Sequence, residues 1–549
     1  MKFQNMRIDA VLNLIAAQEK FNFSYNPADI DVSKTVSGVY VKKPVRELLN
    51  TIFNGSVNYK EKNGYLILQK GKTRPAVVEP KEWITFSGYV RDEKGDIIPW
   101  TSVYDKASME STISNDYGFY KIRFHQKQLP LILFFSKQGY HDTTLYVDKN
   151  AQSFVNIVLR KQQVVPKNNS DTLNIVADAE ETANSFFGEL ESAPNAKNIS
   201  DTLYRTWQVS LLPYLGTNGK LGGNVINDYS FNVLGGYALG HKKLELSGCF
   251  NLTRGDASYV QLAGFFNLNG GNVTGVQMAG FTNVVKGNVK GVQMAGFVNL
   301  NWNNFEGAQF AGFVNTALDS VKGFQAAGFC NVSQKSMVGT QVAGFCNVSL
   351  DTLKGTQIGF VNYTRYIKGS QIGFLNIAQA TSGVPVGFIS YVHSGYHKFE
   401  IAADEVMPVN LAIRTGVTSF YNILTAGLNP AGGDSLIWNF GYGLGTSFKL
   451  GAKTMFDLDL SASQIVEGNT FEKINLLSKV YAGVDTRINK TMSLAIGVTV
   501  NGQITKTDYN NYPDIFTYYE PNIFYSNTWE LEKTQLQMWL GAKVALRFF

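Results

Sequence analysis

Between Tyr259 and Ile377, polar and apolar residues return in a fixed order eight times. Gln261, Gln277, Gln293, Gln309, Gln325, Gln341, Gln357 and Gln371 mark the copies, with steps of 16 residues and a last step of 14. A full copy reads Gly291-Val-Gln293-Met-Ala-Gly296-Phe297-Val-Asn299. Alternate side chains of a strand share a face. Gln293, Ala295, Phe297 and Asn299 then lie on one side, and Val292, Met294, Gly296, Val298 and Leu300 on the other. The last two copies lack the Ala, so Asn362 and Asn376 come one residue early and read as bulges. No charge falls between Gln and Asn in any copy; Lys286, Lys290, Asp319, Lys335 and Asp351 stand outside, at predicted turns.

An amide face opposite a variable apolar face predicts membrane-spanning β-strands, with lipid outside and a polar lumen inside. The stretch from Val321 to Val332 has the length that a tilted spanning strand needs, about 9–11 residues. Backbone groups in lipid must be paired within the protein, which requires a closed barrel. On this reading Gln261, Gln277, Gln293, Gln309, Gln325, Gln341, Asn283, Asn299 and Asn315 face the lumen, and Met278, Met294, Phe310 and Val342 face lipid. The rival reading is a β-solenoid of 16-residue coils that stacks Gln on Gln and Asn on Asn. It accounts for the fixed period more simply, but not for the flanking sequence.

The flanks also read as strands. Trp207 to Gly216 comes first, then a hairpin of Tyr229 to Leu239 and Lys243 to Arg254. After the repeats come Val384 to Val392, Lys398 to Val406, Asn410 to Phe420, Ile437 to Leu450, Met455 to Val466, Ile474 to Arg487, Met492 to Thr505 and Gln535 to Phe549, with a long loop from Asp508 to Glu530. The expected fold is mainly β: a large antiparallel transmembrane barrel over 205–549, with about 20 strands, an even number being the rule. Ahead of it, residues 1–70 read as a small α+β domain. Ile8, Val11, Leu12 and Ile15 line one helix face, and Val45, Leu48, Leu49 and Ile52 a second. Residues 71–83 are a charged linker, 84–161 a small β-sandwich, and 162–204 a polar, flexible linker.

Composition fits this picture. The 549 residues include 52 Gly; aromatics make up 13% and charged residues only 17%, as suits a barrel membrane protein. A net charge of +6 without a dense Lys/Arg cluster points to no nucleic-acid partner. No apolar run is long enough for a transmembrane helix. No export signal is visible at Met1, so a signal removed or lying upstream is expected. Cys249, Cys330 and Cys346 read as small apolar strand residues rather than a disulfide framework.

Three stretches resemble known families. Phe23-Ser-Tyr25-Asn-Pro27, Val36-Ser-Gly38-Val-Tyr40, Val45-Arg-Glu-Leu48-Leu49 and Gly64-Tyr-Leu-Ile67 resemble the secretin and TonB N-terminus (STN) domain. That resemblance implies a periplasmic domain ahead of an outer-membrane barrel, with a periplasmic or inner-membrane anti-sigma protein as partner. Gln18, Lys20, Arg46 and Glu47, on the exposed side of the helices, are the candidate partner surface. Gly88-Tyr-Val90-Arg-Asp92-Glu-Lys-Gly95, Asn115-Asp116-Tyr-Gly118-Phe119 and Gly139-Tyr140 resemble the carboxypeptidase-regulatory-like, transthyretin-like sandwich. In Bacteroidetes that domain commonly precedes outer-membrane barrels, and it implies no catalysis. Asp171, Thr172, Leu173, Asn174, Ile175 and Val176 resemble a TonB box. Energised importers carry a plug of over a hundred residues after the box, and the interval before the first strand here is far shorter. The terminal Phe548-Phe549 resembles the aromatic signal of barrels delivered to the outer-membrane insertion machinery.

No chemistry of an enzyme stands out. His393 and His397 share a predicted strand face with no acid or Cys to complete a metal set, and Asp404-Glu405 have no evident partner. No catalytic residue, cofactor site or metal site is expected. The expected role is an outer-membrane barrel that anchors periplasmic interaction domains, with outer-membrane lipid and complex subunits around it and signalling or scaffolding through the STN-like domain. A transport protein and a structural surface barrel are the alternatives.

Overall fold

The computed structural model describes residues 2–19, 21–39, 44–53, 56–62, 64–71, 83–162, 194–430, 436–468, 474–506, 516 and 521–549. They form two units, Met1–Thr85 with Arg123–Leu129, and Phe86–Ile122 with Pro130–Phe549. In the first, the helices Ile8–Glu19 and Val45–Phe53 bury Val11, Leu12, Ile15, Leu48 and Leu49, as their spacing predicts. Strands Asn22–Tyr25, Val57–Lys62 and Tyr65–Lys70 form one sheet. Lys2–Arg7, which the sequence pattern does not single out, pairs with Thr35–Val39.

The second unit begins with a small sandwich of a four-stranded and a three-stranded sheet, whose buried residues include Phe86, Val90, Val103, Tyr104, Leu133 and Phe135. The last residues of the supposed linker are packed rather than flexible. Helix Pro194–Asn198 docks on the sandwich through a 2.7 Å hydrogen bond from Ser102 Oγ to Asn195 Oδ1. Tyr104, Ile199, Leu203, Leu221 and Val225 then close an apolar joint between the sandwich and the strands that start at Leu203. Burial pushes the Tyr104 hydroxyl up to about 12, so it stays neutral there.

From Leu203 to Val392 the chain is a β-solenoid, and this overturns the antiparallel barrel expected for the repeats. Each 16-residue coil is a flattened loop. Val289–Ala295 forms one side, Gly296 and Phe297 a sharp corner, Val298–Asn301 the other side, and a turn leads into the next coil. Neighbouring coils pair in parallel and in register, so Gln277 lies on Gln293 and Asn283 on Asn299. The supposed hairpin around Gly240 is likewise parallel, Val225–Asn232 pairing with Gly240–Ser247. The step to 14 residues removes one residue from the corner, the missing Ala, and one from the turn, where register shifts between Ser349 and Thr352. No bulge is needed at Asn362. Cys330 and Cys346, read as unpaired, stand on adjacent coils with Cα atoms 4.6 Å apart and form a disulfide.

After the solenoid, a continuous antiparallel sheet begins at Tyr396. Tyr396–Asp404, Val409–Val417, Phe420–Asn429, Ile437–Lys449, Thr454–Glu467, Asn475–Arg487, Met492–Lys506 and Thr534–Phe548 form a closed barrel of 8 strands, the last pairing with the first through Ile401 and Leu546. Phe420–Asn429 was missed in the sequence. Ile523–Trp529, within the expected surface loop, adds as a further strand on Thr534–Phe548. At one end the connections are short, such as 418–419 and 450–453, and the chain enters and ends there. At the other end 405–408 is equally short, but the remaining three connections are longer, the longest running from Lys506 to Thr534.

The stack restricts glycine most tightly at the start of each coil. Gly307 has φ +137°, and an added Cβ would meet Gly291 O at 1.8 Å. Gly307→Ala should lower stability by about 1–3 kcal/mol, through both strain and forced separation of coils. Gly451→Ala, at an open position, should change little. Denaturant midpoints of the two variants of the full chain check this.

Candidate functional site

The barrel places its charges inside and its oil outside. Outward positions on successive strands carry Phe399, Ile401, Leu411, Ile413, Leu428, Phe440, Leu458, Leu460, Val480, Val484, Ile496, Val498, Leu540, Val544 and Leu546, all exposed. The inward positions carry an ion network. Arg414 grips Asp459 with two nitrogens at 3.1 and 2.7 Å and reaches Glu400 at 2.9 Å. Arg547 donates to the same Glu400 oxygen at 2.6 Å, to Asp485 at 2.9 Å and to Asp457. Lys543 meets Glu400 at 2.5 Å, Lys398 meets Asp485 at 2.5 Å, and Lys479 meets Asp404. The three lysines and two arginines thus face five carboxylates, and the charges balance. Tyr421 adds a 2.7 Å hydrogen bond to Asp459.

These contacts revise one expectation from the sequence. Asp404 and Glu405 do have partners: Lys479 and Asn410 for the first, Trp539 and Asn501 for the second, at 3.0 and 2.7 Å. His397 sits on the outer wall, its Nδ1 3.2 Å from the Thr415 hydroxyl. Little space is left in the network; the cavity it encloses measures about 40 Å³. Among the described residues no cluster of His, Cys, Asp or Glu has the arrangement of a metal site.

The solenoid repeats the same polarity with amides. Every predicted lumen residue, Gln261, Gln277, Gln293, Gln309, Gln325, Gln341, Asn283, Asn299 and Asn315, is buried, in a packed solenoid core rather than a barrel lumen. Each Gln Nε2 donates to the Gln of the preceding coil; Gln293 reaches Gln277 at 2.8 Å. The series starts at Glu245, which accepts from Gln261 at 2.9 Å and has His241 at 3.1 Å. Each Asn Nδ2 donates the other way. Asn283 reaches Asn299 at 2.8 Å and also the Met294 carbonyl at 2.6 Å, tying the corner of the next coil.

Phe297 is not on the amide face. The bend at Gly296 breaks the alternation and turns the ring outward. The equivalent residues Phe265, Phe281, Phe297, Phe313, Phe329, Phe345, Phe360, Phe374 and Phe388 are 39–50% exposed and stack at 4.9–6.0 Å between centroids. Beside them, Met278, Phe310 and Val342 border an apolar groove of about 710 Å³ floored by Ala and Gly. The charged residues gather on the opposite edge, where Lys322 pairs with Glu306 at 3.0 Å and Lys335 with Asp319 at 2.7 Å.

The last coil ends against the barrel's outer wall. Asn422 accepts from Ser390 N at 2.8 Å and donates to Gly387 O, and Thr415 donates to Ser390 O at 2.9 Å. Tyr442 continues the ring stack onto the barrel, 4.4 Å from Phe388.

Of the proposed partner surface, Gln18 and Arg46 are exposed and Glu47 half-buried, whereas Lys20 lies outside the described residues, as do Asp171 to Val176. No family model, curated protein or solved structure matches this chain.

The barrel depends on its interior cations. Arg547→Met should leave Glu400, Asp457 and Asp485 short of a partner and cost about 3–5 kcal/mol. Lys449→Ala, at an exposed strand end, should stay within about 0.5 kcal/mol. Urea titration of folded barrel in detergent distinguishes them.

Proposed function

We propose that the chain is an outer-membrane protein in which a filled barrel of 8 strands serves as the anchor. The solenoid, the sandwich and the N-terminal domain are its cargo. The carrying observation is the barrel's polarity. A wall of exposed Leu, Ile, Val and Phe around five ion-paired carboxylates is costly in water and favourable in lipid. Strands of 9–15 residues are long enough to cross a bilayer. Short connections at the end where the chain enters support placing that end, and everything N-terminal to it, on the periplasmic side. The Cys330–Cys346 disulfide fits an oxidising compartment.

Transport has less support. Among the described residues the ion pairs occupy the interior around Glu400, and the void of about 40 Å³ beside them holds a few waters at most. Purified protein in planar bilayers should show no discrete conductance steps; solute-selective steps would return the barrel to the pores.

Signalling or scaffolding then belongs to the N-terminal, STN-like domain, with an anti-sigma protein as partner and outer-membrane complex subunits as neighbours. Full-length protein should capture an inner-membrane anti-sigma protein, and deleting residues 1–70 should abolish that capture and alter the transcripts it governs. Unchanged capture and transcripts would leave the domain as a spacer.

A further inference from the structure

The solenoid's oily edge has no cover among the described residues, yet it joins the barrel's apolar wall without a break. We propose that the solenoid lies edge-on in the membrane, with its phenylalanine corner immersed in the acyl chains of the leaflet on the barrel's short-turn side. The inference rests on the reading of the barrel as membrane-spanning and adds to it a second, much longer lipid contact.

Three observations carry it. The first is direction. The open end of the last coil is capped by Asn422 and Thr415 on the barrel wall, so the coils stack outward from that wall and the solenoid axis runs along the membrane plane. The second is depth. Phe388, at the corner, stacks on Tyr442, which lies in the middle of strand Ile437–Lys449 and pairs with Leu424 and Ala462. The opposite edge of the same coil sits at the short-turn rim. There Tyr391 packs on His397 at 4.9 Å, and Gly395 N donates to Val392 O just before the first barrel strand. The corner therefore faces the hydrocarbon level, and the other edge faces water.

The third is charge. Lys290, Glu306, Asp319, Lys322 and Lys335 all belong to the water-side edge, and the nine Gly-Phe corners carry none. An interfacial element buries an apolar face about 5–10 Å deep and keeps its charges outside, which is the partition seen here. At the ~4.8 Å spacing of parallel strands the ring stack extends for about 40 Å from the barrel. A water-exposed stack of that length would be an aggregation hazard.

The test uses full-length protein with Cys249→Ser, reconstituted in phosphatidylcholine–phosphatidylglycerol vesicles. An environment-sensitive fluorophore is attached at one of four sites: Phe313→Cys on the corner or Phe310→Cys in the groove beside it (together the corner probes), Lys322→Cys on the charged edge, or Leu460→Cys on the barrel wall. The corner probes should be quenched by spin-labelled phospholipid and spared by aqueous iodide. The probe at 322 should behave the opposite way, and that at 460 should follow the corner. Quenching by lipid at 460 with iodide quenching at 310 and 313 would overturn the solenoid proposal and leave the barrel reading intact. Lipid quenching at none of these sites would overturn both. Corner probes protected from both quenchers would mean that a protein, or a second copy, covers the edge, and would equally overturn it.

Discussion

A buried side-chain amide must find both a donor and an acceptor, and the repeat region is built around that requirement. Leaving one such group unpaired costs about 1–3 kcal/mol. Stacking identical residues at the strand spacing answers it: Gln309 donates to Gln293 and accepts from Gln325, at 2.8 and 2.7 Å. The solution works only in register, because a slip of one residue would put Met or Ala opposite the amide. The Gln series donates toward the N-terminal end and the Asn series toward the C-terminal end, so their dipoles oppose each other within one core. Each Asn also holds the corner carbonyl of the next coil, linking side-chain order to backbone shape.

A stack of parallel coils has two open ends, and each is closed by a neighbour. At the start, the sandwich and helix Pro194–Asn198 cover Leu203, Leu221 and Val225. At the finish, barrel side chains take the hydrogen bonds that another coil would have made. Capping of this kind removes the exposed strand edge that invites aggregation. It also joins sandwich, solenoid and barrel in one unit.

Barrel and solenoid share an inverted polarity, produced by different chemistry. The solenoid uses neutral amides, whose partners arrive automatically with the repeat. The barrel uses ions, whose partners come from distant strands: Arg547 meets Glu400, Asp457 and Asp485, at separations of 147, 90 and 62 residues. Buried ions tolerate no missing partner, so closure of the barrel and assembly of the network are one event.

Much of the architecture could be read along the chain. Period-2 alternation identifies which residues are inside, and Gln293, Asn299 and Met294 lie on the sides that the pattern assigns. From Lys398 onward, the missed Phe420–Asn429 apart, the predicted strands match those of the barrel, because each is a long alternating run bounded by turn residues. The helices of the first unit were legible for the same reason, with period 3.6 in place of 2. What alternation does not contain is the partner: a strand with one face inward looks the same whether its neighbour runs parallel or antiparallel. Constant Gly positions, Gly291 on Gly275 and Gly296 on Gly280, were the available clue, since only in-register stacking brings like against like. Phe297 changed sides because a bend at Gly296 interrupts the count, and bends are set by contacts between coils. The ion network and the Cys330–Cys346 bond belong wholly to the tertiary level, since residues far apart in sequence acquire partners only once the sheet has closed or stacked.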